Sequence, residues 1–247
     1  AGISADRLAR IDDLINSYVS RHWIAGATAI VVRHGKIVYY KGLGYDDVDT
    51  HTPLKRDAIF RIASQTKAIA TTAVMILYEE GKLLLDDPIS KYIPAFKNPR
   101  VLDKFNPADS SYTTVPARSE ITIRQLITHT SGLDYAVIGS TEMRAIYAKA
   151  NISSGIGTEK STLEVEINKL AAMPLGHQPG EAWTYSLGID VLGYLVEVVS
   201  GKPFDQFLKE KIFDVIGMKD TYFYLPASKH NRLSTFYTEN DTHELIK

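Results

Sequence analysis

Strand-forming sequence is concentrated in one short stretch near the start of this chain, and that concentration limits its possible folds more than any other feature. Ala29-Ile30-Val31-Val32 and Ile37-Val38-Tyr39-Tyr40 are β-branched and aromatic runs divided by a short polar stretch containing Gly35. They predict a hairpin, with Gly42 and Gly44 ending its second strand. An isolated hairpin is marginal in water, and three or more strands are usually needed for a stable sheet. No long strand pattern follows residue 222, so further strands are expected to lie outside this sequence.

The other segments read as helices and loops. Ser4 to Val19 predicts an amphipathic helix, with Ser4 as N-cap and Leu8, Ile11, Leu14, Ile15 and Val19 along one face. From Ser64 onward the texture is helical: Ala68 to Tyr78 with a stop at Gly81, then Leu163 to Ala172, Ile189 to Ser200 and Phe204 to Ile212. Ile93 to Ser119, with four prolines, and Asn151 to Gly157 read as loops.

Composition narrows the function classes. With 45% hydrophobic and 23% charged residues among 247, the chain is of ordinary globular type, forming one large domain or two modest ones. A net charge of -1 gives no electrostatic case for nucleic acid or an anionic membrane surface, which leaves a small molecule or peptide as the default partner. The absence of cysteine removes disulfides, thiol nucleophiles and cysteine-ligated metals. No apolar run approaches the roughly 20 residues of a membrane span. The start Ala1-Gly2-Ile3-Ser4 has neither an initiator methionine nor a signal-like segment, which predicts an N-terminus set by processing or trimming.

The sharpest local feature is Ser64-Gln65-Thr66-Lys67 at the head of the helix Ala68 to Tyr78. Positions three apart share a helix face, so hydroxyl and amine come within reach of each other. A serine hydroxyl becomes nucleophilic when a neighbouring base takes its proton, and a lysine serves if its surroundings disfavour its charge. Amide groups at a helix N-terminus favour negative charge developing beside the serine. Taken alone, the same four residues also read as an N-cap serine with a solvated lysine, the commoner arrangement.

The neighbouring sequence supplies context. Phe60-Arg61-Ile62-Ala63-Ser64-Gln65-Thr66-Lys67 resembles the nucleophile segment of the penicillin-binding protein and serine β-lactamase-like hydrolases. The stretches Glu79 to Pro88, Ile123 to Leu133 and Pro179 to Ser186 are similar, in order, to that family's succeeding segments. The resemblance implies an α+β fold of β-lactamase/transpeptidase type, an antiparallel sheet flanked by helices with an inserted all-helical domain. On this reading residues 1–60 begin the sheet domain, 61–225 form the helical domain, and 226–247 start an incomplete return to the sheet. It further implies that Ser64 is the nucleophile and that Lys67 and Tyr185, the latter in Tyr185-Ser186-Leu187, handle its proton. From the residues alone, Tyr185 is otherwise one half-buried loop tyrosine among 14.

Two departures from the family pattern matter. Leu187 stands where relatives carry an asparagine that donates to the substrate's amide, which favours the branch resembling family VIII carboxylesterases over class C β-lactamases and D-amino-acid peptidases. The third family motif, Lys-Thr-Gly or His-x-Gly on a late strand, is missing; Gly201-Lys202 and Gly217-Met218-Lys219 read as helix caps. Missing motif and missing strands agree, and a complementing C-terminal fragment of the same protein is the partner they imply. A non-catalytic relative binding cell-wall peptides is the reading from another class.

The resemblance requires no cofactor or metal, and the seven histidines show no metal-ligand spacing. His129 reads as a structural hydrogen-bonding residue, and Gly155-Ile156-Gly157 lacks the third glycine and preceding strand of a dinucleotide loop. Expected partners are a small ester, a β-lactam or a D-amino-acid peptide. The resemblance and the non-Met start lean towards a periplasmic or secreted location, and nothing in the residues fixes one.

Overall fold

The computed structural model describes residues 2–155 and 160–247, so Ile156 and Gly157 of the expected loop lie outside the described residues. Two compact units are formed, Ala1–Ile62 with Tyr222–Lys247 and Ala63–Thr221.

The first unit begins with α1 (Ala5–Ser20), where the Ser4 hydroxyl accepts from the Arg7 amide at 3.4 Å as an N-cap. Leu8, Ile11, Ile15 and Val19 are half-buried as the spacing predicts, but Leu14 is 53% exposed. Strands β1 (Gly26–Arg33) and β2 (Lys36–Asp47) pair antiparallel, with Ile30 opposite Tyr40, Val31 opposite Tyr39 and a bulge at Val31/Val32. The strand β3 (Thr52–Pro53) completes the order β1-β2-β3.

Gly42 and Gly44 do not end the second strand; it runs on to Asp47. Their role is close approach: a Cβ on Gly42 would lie 2.4 Å from the Leu54 carbonyl oxygen, where the returning chain crosses β2. The Tyr39 hydroxyl donates to Asp12 of α1, and Lys41 pairs with the same carboxylate at 2.6 Å. Burial first, and then the hydrogen bond to the Asp12 carboxylate and its charge, push the Tyr39 phenol up to about 12.

Residues 222–247 add a bridge in which Leu233 lies parallel to Ile59, held by Ile59 N–H to Arg232 O at 2.7 Å and Ser234 N–H to Ile59 O at 2.8 Å. A short antiparallel pair, Thr238–Glu239 with Leu245–Ile246, follows. Among the described residues of this unit only Tyr39 and Leu54 are buried apolar side chains, while Ile30, Val32, Ile37 and Trp23 are exposed.

The second unit holds the main core. Helix α2 (Thr66–Glu79) buries Ala70, Ala73, Val74 and Leu77. It ends as the sequence predicts: Gly81, at φ +70°, donates to Tyr78 O and Lys82 donates to Leu77 O, both at 2.9 Å, the double bond of a Schellman cap.

The segment Ile93 to Ser119, expected as loop, contains a hairpin of β4 (Arg100–Asn106) and β5 (Ser111–Pro116). Two of its prolines, Pro107 in the turn and Pro116 at the strand end, sit where no ladder donor is needed. Pattern reading gave those prolines too much weight against a strand. The unit is thus helical apart from this hairpin.

Four helices follow: α3 (Ile123–Ile127), with a reciprocal Thr122/Gln125 capping box, α4 (Thr141–Lys149), α5 (Leu163–Ala171) and α6 (Gly188–Ser200). Buried Val191, Leu192, Leu195 and Val196 of α6 join the α2 residues in one core cluster. Gly201 caps α6 in the left-handed region. The helix predicted over Phe204 to Ile212 is α-helical as α7 (Phe204–Leu208) and continues as a π-helical turn over Lys209–Phe213. Gly217, at φ +75°, ends the short helix that follows. No helix among the described residues is long and apolar enough to cross a membrane.

Candidate active site

Ser64 sits in a tight turn, Ala63–Gln65, that leads directly into α2. Ala63 is held at φ +41°, a conformation costly for a residue with a Cβ, and such strain marks places that the surrounding structure over-determines. The turn is 3-10 rather than α-helical, yet the spacing argument survives: the Lys67 ammonium donates to Ser64 Oγ at 3.3 Å. No side chain caps the head of α2, so its first amide groups are not occupied in that way.

Tyr185 arrives from a loop that the 129–134 segment holds in place. The Thr184 amide donates to His129 O at 2.8 Å, the Gly180 amide to Thr130 O at 2.7 Å, and the Leu187 amide to Asp134 O at 3.1 Å. Thr184 turns towards the scaffold and contacts His177 Nε2 at 3.1 Å, whereas Trp183 and Tyr185 share the other side. Tyr185 Oη lies 2.6 Å from Ser64 Oγ. The three residues singled out in sequence therefore meet around one hydroxyl oxygen.

His129 fits its structural reading. Its Nδ1 lies 3.2 Å from both the buried Ser186 hydroxyl and the Ser186 amide, so the ring fixes the residue next to Tyr185. Burial, and then the Lys67 charge, lower its pKa, disfavouring the charged ring. Gly132, at φ +87°, is required in the same segment: a Cβ there would stand 2.3 Å from the His177 carbonyl oxygen. Its own carbonyl accepts from Gly176, and neighbouring Leu175 bonds to β4 through Arg100 O and the Leu102 amide. The unpredicted hairpin thus braces the loop that carries Tyr185.

Electrostatics favour a reactive phenol. Burial alone would raise the pKa of Tyr185, but hydrogen bonds from Lys67 and Ser64, together with the Lys67 charge, outweigh it and lower the value. The Lys67 nitrogen stands 4.8 Å from the centroid of the Tyr185 ring. The Tyr185 hydroxyl donates to Ser64 Oγ across 2.6 Å.

Three site residues escaped sequence reasoning. Tyr135 is buried and stacks on Tyr185 with centroids 5.6 Å apart and planes 11° from parallel. Trp183, 65% exposed, meets His129 edge-on at 6.1 Å. Asp190, in the first turn of α6, interacts electrostatically with Lys67, Tyr135 and Tyr185. The two-residue spacing of Trp183 and Tyr185 was a usable signal for the tryptophan; nothing local marked the other two. Leu187, at the family's asparagine position, is buried in the core and presents no polar group.

The beta-lactamase family model matches residues 11–245. The chain belongs to the beta-lactamase family. Among its relatives, Rv1367c of Mycobacterium tuberculosis is 38% identical over 87% of this chain and 51% of its own length. Esterase EstB of Burkholderia gladioli is 35% identical over 89% of this chain and 52% of its own. The solved structure of EstCE1, described as a hydrolase with promiscuous acyltransferase activity, superposes with a TM-score of 0.83 at 31% identity, covering 97% of this chain and 58% of that one. This beta-lactamase-family chain spans about half the length of the relatives it matches. Its fold is the α+β fold of β-lactamases and transpeptidases, as the four ordered segments implied.

Proposed function

We propose that this chain carries the nucleophilic centre of a serine hydrolase that acts on small carboxylic esters through an acyl-enzyme on Ser64. The observation that carries the reading is the convergence of Tyr185 Oη, at 2.6 Å, and Lys67 Nζ, at 3.3 Å, on Ser64 Oγ. Kinship with an esterase and with a hydrolase of acyltransferase activity supports an ester over an amide.

In the acylation step Ser64 Oγ bonds to the ester carbonyl carbon while Tyr185, as phenolate, takes the serine proton. The C–O bond to the alcohol then breaks, and the proton passes from Tyr185 to the departing alkoxide. In deacylation Tyr185 takes a proton from water as the hydroxide adds to the acyl carbon, and it returns that proton to Ser64 Oγ as the acid leaves. The Lys67 ammonium stabilises the phenolate throughout. Trp183 offers an exposed aromatic wall for the apolar part of the ester.

The buried Leu187 argues against the alternative of a class C-like β-lactamase or D-amino-acid peptidase, because no amide of the substrate can be recognised from that position. Intact-protein mass spectrometry after treatment with an alkyl fluorophosphonate is the test. A single adduct on the wild type and none on Ser64→Ala supports the reading. Tight binding of a D-alanyl peptide with no adduct would replace it with the peptide-binding reading, and nitrocefin turnover exceeding that of p-nitrophenyl butyrate would replace the esterase with a β-lactamase.

A further inference from the structure

Two aromatic residues of the site hang from one buried acid that the proposed reaction leaves without a task. Asp134 follows the Gly132 turn and is 3% exposed. Hydrogen bonds answer its carboxylate: Oδ1 accepts from the Tyr135 amide at 2.7 Å, and Oδ2 accepts from the Ser140 amide and hydroxyl, both at 3.2 Å. The turn closed in this way is tight. A Cβ on Gly139 would stand 2.2 Å from Asp134 Oδ1 and 2.5 Å from the Tyr135 carbonyl oxygen, which itself accepts from the Gly139 amide at 3.2 Å.

The main chain of Asp134 is tied as well. Its amide donates to the hydroxyl of fully buried Tyr147 at 3.3 Å, and its carbonyl accepts from Leu187, two residues beyond Tyr185, at 3.1 Å. Side chain and main chain of one residue thus fix the backbone at both members of the Tyr135–Tyr185 stack. The two rings lie 5.6 Å apart and 11° from parallel. Lys67 Nζ stands 4.8 Å from the Tyr185 centroid and 5.8 Å from that of Tyr135, so both rings are within cation–π range of the ammonium.

We propose that Asp134 and Tyr135 are positioning residues for Tyr185: Asp134 fixes the two backbones from one point, and the Tyr135 ring fixes the plane of the phenol, which holds Oη on Ser64 Oγ. The hydroxyl lies at the far end of the Tyr185 side chain, so a small swing of the ring displaces it more than any other atom. Stacking on a buried ring removes that swing before substrate arrives, and reacting groups held in place lower the barrier. The part Tyr135 plays belongs to its ring and not to its hydroxyl.

This inference deepens the serine-hydrolase reading and rests on it, but its first measurement does not need a reactive serine. The ring resonances of Tyr185, assigned by their loss in Tyr185→Phe, should stand upfield in the wild type because the Tyr135 ring lies over them. Tyr135→Phe should keep that shift, and Tyr135→Leu should lose it. In folded Asp134→Asn one of the two buried amides faces an NH2 group in place of an oxygen, and the shift should shrink. Labelling of Ser64 by an alkyl fluorophosphonate should follow the resonances. Its maximal rate should fall roughly ten- to a hundredfold in Tyr135→Leu and Asp134→Asn, with the half-saturating probe concentration little changed, and should be retained in Tyr135→Phe.

A merely structural role for Asp134 would lower the melting temperature and leave the Tyr185 resonances and the maximal rate in place, and that result would overturn the proposal. So would a Tyr135→Leu protein that labels as fast as the wild type. Should Asp134→Asn fail to melt cooperatively, Gly139→Ala crowds the same carboxylate with one methyl group and is measured in its place; Gly139 lies outside the left-handed region, so the methyl acts through space alone. Resonances that move as expected, with no labelling of Ser64 even in the wild type, would leave the proposal standing and sink the hydrolase reading instead.

Discussion

Ser64 and Tyr185 lie 121 positions apart in sequence and 2.6 Å apart in space, and single residues at this site divide according to how far their signal reached. The proximity of Ser64 and Lys67 was legible because helical spacing places them together locally, but only the resemblance turned the pair from a capping serine and a solvated lysine into a candidate site. Tyr185 was legible only through the resemblance, since no local periodicity connects it to Ser64. Asp190 was illegible: an acid in the first turn of a helix is favourable on dipole grounds alone, and only the fold reveals that it is largely buried, within the reach of the Lys67 charge. Replacing Tyr185 by Phe removes the proton acceptor while keeping the stacking on Tyr135, so labelling of Ser64 should fall by ~10²- to 10⁴-fold with the melting temperature little changed. Trp183→Ala should slow labelling by aryl-bearing phosphonates roughly three- to tenfold relative to a methyl analogue. Equal slowing of both probes would show that the ring serves the loop rather than the ligand.

At the scale of elements, α1, α2, α5, α6 and α7 were read closely because their caps and apolar faces are local, whereas the short helices α3 and α4 were not predicted. The Ser4 cap and the Gly81 stop both stand where the residues placed them. The β4–β5 hairpin was missed because its exposed ladder lacks the apolar alternation of a half-buried strand and carries prolines at its margins. Yet this hairpin, through Leu175 and Gly176, reaches the Gly132 turn. Gly132→Ala forces a Cβ towards the His177 carbonyl, and should displace the loop bearing Tyr185. Ser64 labelling should drop far more than secondary structure measured by circular dichroism. In α6, Leu195 is fully buried, and Leu195→Ala should cost about 2–5 kcal/mol in denaturant unfolding, the usual range for emptying a packed core position.

Across the whole molecule, the family was readable from four segments in the right order, whereas the sheet's extent was not, because pairing partners of strands are non-local. Stability carries a pH signature from Asp190. Its carboxyl titrates at about 6 in the folded protein against 3.8 ordinarily. Between those values the folded state holds a proton that the unfolded chain has released, so stability falls as pH rises through this window. The ionised carboxylate then costs the fold about 3 kcal/mol at pH 7 and above. Asp190→Asn should therefore be the more stable protein at pH 8 and indistinguishable from the wild type at pH 3.5 in paired thermal melts. A variant less stable at both would mean that the carboxylate is held by favourable contacts instead.

The exposure of Trp183 has an optical consequence. The chain contains two tryptophans, and the other, Trp23, belongs to the first unit, where Arg21 lies 4.9 Å over its ring. Trp23→Phe would leave a single indole, standing in solvent 6.3 Å from the Tyr185 ring centroid. Its emission maximum and its quenching by iodide would then read occupancy of the nucleophile's surroundings directly, without a chromogenic substrate and before any knowledge of the natural one.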